Sequence, residues 1–105
     1  MHSLSNLEIL QYVKVVIEKS TDLFMNFKEV YIFGSVVSGK KSPNDIDLLL
    51  IYDKYNTNIL NEIEAIRLQI ERKINILVDV TALSKIEIDE TCFLSRLQYK
   101  YIKIK

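Results

Sequence analysis

Apolar side chains in the first part of the chain recur at Ile9, Val13 and Val16, with Leu10 and Ile17 beside them, which is the spacing of one helical face. Ser5 and Glu8 stand ahead of that stripe at capping-box spacing, so the pattern predicts a helix from about Leu4 into Lys19 or beyond. The period then changes. Val30-Tyr31-Ile32-Phe33 is short, β-branched and aromatic and stops at Gly34, which predicts a buried strand. Asp45 to Tyr52 reads Asp-Ile-Asp-Leu-Leu-Leu-Ile-Tyr, a second strand that is polar only where it begins. Helical spacing returns at Ile59, Ile63, Ile66 and Ile70 and predicts a helix ending at Arg72-Lys73. Ile76 to Val80 is then a third strand. Beyond Thr81 the pattern is weaker; Asp89 is placed to cap a helix through about Gln98, and Tyr99 to Ile104 suits a closing edge strand. This order of elements predicts an α/β or α+β sheet packed by helices.

With 105 residues the chain has room for one core, so a single domain spanning 1–105 is expected. Hydrophobic residues make up 49% and charged residues 27%, enough apolar surface to offset the entropy of ordering. Fourteen basic and fourteen acidic side chains cancel, which removes any global field toward nucleic acid or an anionic membrane and leaves only local binding. A lone cysteine, Cys92, has no internal disulfide partner and reads as packing beside Phe93 and Leu94. No apolar run approaches the roughly 20 residues that cross a bilayer, and the start Met1-His2-Ser3-Leu4 lacks the basic residues of a secretory signal, so the expected location is cytoplasmic.

Irregular backbone is concentrated in one place: both glycines and the only proline fall between Gly34 and Pro43. Gly34-Ser35 ends a strand and opens a short turn, where backbone N–H groups and a hydroxyl suit phosphate oxygens, although glycine-serine is also ordinary turn material. Asp45 and Asp47 stand two apart in a strand, so both carboxylates leave one face with Cα atoms roughly 7 Å apart. Their repulsion is relieved by a cation, a shared proton or full solvation, and hard oxygen donors select Mg²⁺ or Mn²⁺. Asp79 lies between Val78 and Val80, with the valines facing the other way. It is a third ligand if its strand lies beside that of Asp45 and Asp47, or else pairs with a lysine or a backbone N–H.

Gly34-Ser35-Val36-Val37-Ser38-Gly39, followed after five residues by Asp45-Ile46-Asp47-Leu48, resembles the Gly-Ser…Gly…Asp-x-Asp signature of the DNA polymerase β nucleotidyltransferases, with Asp79 where their third carboxylate is expected. The size resembles the minimal nucleotidyltransferases (MNT) encoded beside HEPN proteins in toxin–antitoxin pairs. The resemblance covers Val30 to Asp79 and implies a small mixed sheet of three to four strands packed by helices. It implies that Asp45, Asp47 and Asp79 hold two Mg²⁺ ions, with Asp79 serving the attacking hydroxyl, and that Gly34 and Ser35 hold the phosphates of ATP or another nucleoside triphosphate. The implied reaction moves a nucleoside monophosphate, AMP if the donor is ATP, onto an acceptor hydroxyl such as a tyrosine of a cognate HEPN toxin. Larger relatives carry a further domain, so a protein partner or a homodimer is expected to complete the pocket.

Many minimal members have Ala-Arg before the second glycine where this chain has Val37-Ser38; Lys40 and Lys41 are candidate replacements near the nucleotide, or a solvated loop tip. Two readings compete with catalysis on a protein: an antitoxin that acts by occlusion, and transfer to a small molecule such as an aminoglycoside or to an RNA end. Lys100, Lys103 and Lys105 alternate with apolar residues, as in RNA contacts or in an edge strand guarded against aggregation. Asp53 is expected to cap a helix or close a turn, and His2, the only histidine, to lie in a disordered terminus.

Overall fold

The computed structural model describes residues 5–38, 45–98 and 100–105. Helix α1 (Asn6–Lys19) begins at the capping box read from the sequence: Ser5 accepts from the Glu8 N–H and Glu8 from the Ser5 N–H. Its stripe of Ile9, Val13, Val16 and Ile17 is buried. Strand β1 (Phe27–Phe33) starts three residues before the expected Val30, because the bulge between Phe27 and Glu29 lets Phe27 turn into the core and extend the ladder. Helix α2 (Ser35–Ser38) is a single turn.

Strand β2 (Asp45–Tyr52) is central, which explains its apolar run: a strand with neighbours on both edges and cover on both faces has no need to alternate. Helix α3 (Ile59–Ile74) runs past the expected end at Arg72-Lys73. Asn75 stops it in the left-handed conformation (φ 62°), donating its N–H to the Glu71 carbonyl. Strand β3 (Leu77–Ser84) continues four residues beyond the expected Val80.

After β3 the expected cap is corrected. Ser84 and Glu87 form a second capping box, so α4 (Lys85–Thr91) starts there and Asp89 lies inside the helix rather than before it. Cys92, expected to pack, is exposed and sits at φ 52° between α4 and α5 (Phe93–Arg96), where the chain breaks direction. Strand β4 (Tyr101–Lys103) is the edge strand foreseen for 99–104.

The four strands form a mixed sheet in the order β3-β2-β1-β4, with β2 and β3 parallel and the other two pairings antiparallel. Helices α1 and α3 cover one face, packing Ile9, Val13, Ile66 and Ile70 onto Val30, Ile32, Ile46, Leu48 and Leu50. The opposite face carries a smaller cluster in which Tyr31, Leu49 and Ile51 are covered by Ile88, Phe93 and Leu94. This second layer reaches only part of the sheet, and at the start of β2 and β3 that face bears the acidic residues.

No described helix is long and apolar enough to cross a membrane. Lys103 pairs with Glu29 at 3.0 Å, and Lys105 donates to the carbonyls of Phe24 and Phe27 at 2.8 Å each, so two of the three C-terminal lysines have structural partners. Asp53 forms an exposed ion pair with Lys28 at 3.7 Å. The cap position of α3 belongs to Asn58 and not to Asp53.

Candidate active site

Strand alternation and register together bring the acids to one spot. Asp45 and Asp47 leave the same face of β2, and in the parallel pairing Asp47 lies opposite Asp79 while Asp45 lies opposite Leu77. One carboxylate oxygen from each of Asp45, Asp47 and Asp79 falls within 4.8 Å of the others. Asp45 and Asp47 are half-buried and Asp79 is exposed. The placement needed for a three-carboxylate site, left open by the sequence, is thus decided by the β2–β3 register.

Electrostatics mark the cluster as uncompensated. The Asp47 carboxyl is pushed above the usual carboxylate range, first by partial burial and then by the charges of Asp45 and Asp79. Asp79 is raised as well, chiefly by its hydrogen bond with Asp45, with further contributions from desolvation and from the charges of Asp45 and Glu71. Charge held together without a counter-charge is the condition a divalent cation relieves, and the all-oxygen donor set suits Mg²⁺ or Mn²⁺. The residues present therefore fit a hard cation.

Gly34 lies directly against this cluster. Its φ of +77° falls in the left-handed region, and a Cβ built on it would stand 2.0 Å from Oδ2 and 2.9 Å from Cγ of Asp47. Only a residue without a side chain lets the end of β1 come so close to the carboxylate. Ser35 follows and opens α2; the Gly34 carbonyl accepts the Val37 N–H at 3.1 Å, closing the turn. The turn expected to cradle phosphate and the acids expected to hold metal are therefore neighbours. Val36 is buried and Val37 packs on the core, so Val37 serves the hydrophobic layer. Lys40 and Lys41, the loop cations considered for the nucleotide, lie outside the described residues.

Two features escaped sequence reading. The strand pairings set Asp79, Asp47, Phe33 and Tyr101 in one row across the sheet, on one face. Phe33 meets Phe93 edge-to-face at 5.6 Å and Tyr101 meets Tyr31 at 5.4 Å, so an aromatic patch adjoins the acids. Glu71, from α3, accepts the Val78 N–H at 2.9 Å and an Arg67 N–H at 2.8 Å, fixing the start of β3 one residue before Asp79. The i, i+4 spacing of Arg67 and Glu71 was the only advance signal, and such pairs are common on solvated helix faces.

Comparison with known proteins agrees with this geometry. The family model "Polymerase beta, Nucleotidyltransferase" matches residues 14–95. Among solved structures, a candidate nucleotidyltransferase from Sulfolobus solfataricus is similar with a TM-score of 0.58 and 25% identity over 93% of this chain and 80% of that one. The structure of a tri-AMPylated HEPN toxin in complex with MNT antitoxin from Shewanella oneidensis also matches, with a TM-score of 0.60 and 15% identity over 92% of this chain and 71% of that chain, a likeness of fold. No curated protein matches. A family match over most of the chain, on a fold that sets the three aspartates beside the Gly34 turn, leads to one conclusion: the chain belongs to the polymerase β nucleotidyltransferase family.

Proposed function

We propose that this protein transfers a nucleoside monophosphate, AMP when the donor is ATP, onto a hydroxyl of a protein partner, with a tyrosine of a HEPN-type toxin as the acceptor class. The observation that carries the reading is the convergence of Asp45, Asp47 and Asp79 beside Gly34. Bound divalent cations, two in this reading, would be held by these carboxylates and would offset charge on the entering and leaving oxygens. Gly34 and Ser35 bind the β and γ phosphates at the β1 end of the site. Asp79 lies at the opposite, β3 end, on the side from which an entering hydroxyl reaches the α-phosphorus. The acceptor oxygen forms a bond to that phosphorus, the bond to the bridging oxygen breaks, and pyrophosphate leaves with the electron pair. The proton leaves the hydroxyl toward the Asp79 carboxylate, the acid placed at that end of the site.

The likeness to a fold found in a complex of MNT antitoxin with AMPylated HEPN toxin supports a protein acceptor and an antitoxin role. The test is Asp45→Asn combined with Asp47→Asn, assayed with labelled ATP, Mg²⁺ and a HEPN partner. Label transfer should fall by at least about 10³-fold. If the double variant still neutralises the toxin as well as the parent does, the protein acts by occlusion and the catalytic reading fails.

A further inference from the structure

Among the described residues strand β3 is an edge of the sheet, with β2 as its only strand neighbour. In a parallel pairing the backbone groups of alternate residues point toward the neighbour and those between point outward. The Val78 N–H points outward, because it is taken by the Glu71 carboxylate. By the same alternation the N–H and C=O groups of Val80 and Ala82 also point outward, and among the described residues nothing is seen to bond them. This row of open backbone groups starts one residue from Asp79. Glu71 occupies the first outward N–H, so an added strand finds its first free donor at Val80, which limits the registers it can adopt.

The side chains on this edge are as telling as the backbone. On the face of the acids β3 presents Leu77, Asp79 and Thr81, and Leu77 is 68% exposed although it is apolar. From Leu77 to Ser84 the strand carries no basic residue. The nearby Arg67 is consumed by Glu64 and Glu71. Among the described residues this strand offers a polyanionic acceptor such as an RNA end no basic side chain to offset its charge. An in-line displacement also sends the entering oxygen in from the side opposite the departing pyrophosphate. With the phosphates at Gly34 and Ser35, in the turn that follows β1, that side is the β3 edge.

We propose that the acceptor is an extended polypeptide segment that adds as a fifth strand to the free edge of β3 and so presents a tyrosine beside Asp79. This inference rests on the nucleotidyl-transfer reading above and specifies how the acceptor is held. A residue paired opposite Asp79 has its Cβ on the same face, roughly 5 Å away. A tyrosine there is long enough to lean over the strand toward the carboxylates, with its ring against Leu77, whereas the hydroxyl of serine or threonine sits on Cβ and falls short. The phenol oxygen forms the new bond to the α-phosphorus, pyrophosphate carries away the electron pair, and the phenol proton passes to Asp79. Affinity comes from main-chain hydrogen bonds, and specificity from the one side chain that must reach.

The test uses the full chain with Mg²⁺, labelled ATP and three synthetic hexapeptides of alternating tyrosine and valine. One is unmodified, one is N-methylated on every valine and one on every tyrosine, so that each modified peptide has one hydrogen-bonding edge blocked. Labelling should be kept for one methylated peptide and drop by about tenfold or more for the other. Independently of turnover, the unmodified peptide should slow amide hydrogen exchange at Val80 and Ala82 in the Asp45→Asn, Asp47→Asn protein. Equal labelling of all three peptides, unchanged exchange at Val80 and Ala82, or labelling of RNA ends or glycerol in preference to peptide overturns the strand-addition proposal while leaving nucleotidyl transfer intact. Absence of any transfer together with absence of magnesium-dependent ATP binding overturns both.

Discussion

Gly34 shows how little freedom a single position can have. Its positive φ and its contact with Asp47 are separate demands, and alanine fails both. Gly34→Ala should cost about 1–2 kcal/mol in denaturant unfolding from the backbone alone. It should also abolish stabilisation by Mg²⁺, because the new methyl group displaces the Asp47 carboxylate. The acids themselves set a pH dependence. Asp47 and Asp79 have raised proton affinity in the folded chain, so over that range the folded state binds more protons than the unfolded one. With metal chelated, stability is therefore greatest below the ordinary carboxylate range and falls as pH rises through it to the raised folded values. Asp47→Asn should flatten that fall and make the metal-free protein more stable at neutral pH, as read by thermal unfolding in chelator across a pH series. A flat profile in the parent would show that the cluster is already compensated.

Among the elements, α4 leans most on its cap. Its seven residues bury no side chain fully, so its position depends on the Ser84–Glu87 box and on Ile88 against the smaller cluster. Ser84→Ala should cost about 1 kcal/mol, with faster hydrogen exchange in α4 and little change in α1. The same replacement at Ser5 should cost a similar amount but act on α1, whose buried face holds it in place by packing as well. Edge and centre also separate cleanly at this scale. Strand β2, covered on both faces, is one apolar block after Asp47, whereas β3 alternates in burial from Leu77 to Asp79 beside the acids and is half-buried beyond them.

At the scale of the molecule, two layers are unequal by design of the sequence. Helices α1 and α3 cover most of one face, and the short α4 and α5 cover the other only in part. The remainder is where the carboxylates of Asp45, Asp47 and Asp79 collect. Ligand binding to that open corner should stabilise the whole fold by mass action: Mg²⁺ with a non-hydrolysable ATP analogue at about 100 times its Kd should add about 2.7 kcal/mol, or about 10 °C in Tm for a chain of this size. The double Asp45→Asn, Asp47→Asn variant should show no such rise in a thermal scan.

Local chemistry was legible before any coordinates. The α1 box, the apolar stripes of α1 and α3, the unbroken β2 and the concentration of glycine at the Gly34 turn are short-range patterns, and helices and strands obey them because neighbours in sequence share a face. The Gly-Ser and Asp-x-Asp elements resembled a family for the same reason. Past Thr81 the expected cap was Asp89 and the Ser84–Glu87 box was missed, although that box starts α4 five residues earlier. What tertiary structure alone decided was the company that Asp79 keeps. More than 30 residues separate it from Asp47, and a register slip of one residue in β3 would turn its carboxylate into the helical layer. The packing of α3, its stop at Asn75 and the grip of Glu71 on Val78 set that register, and with it the open edge beside the acids.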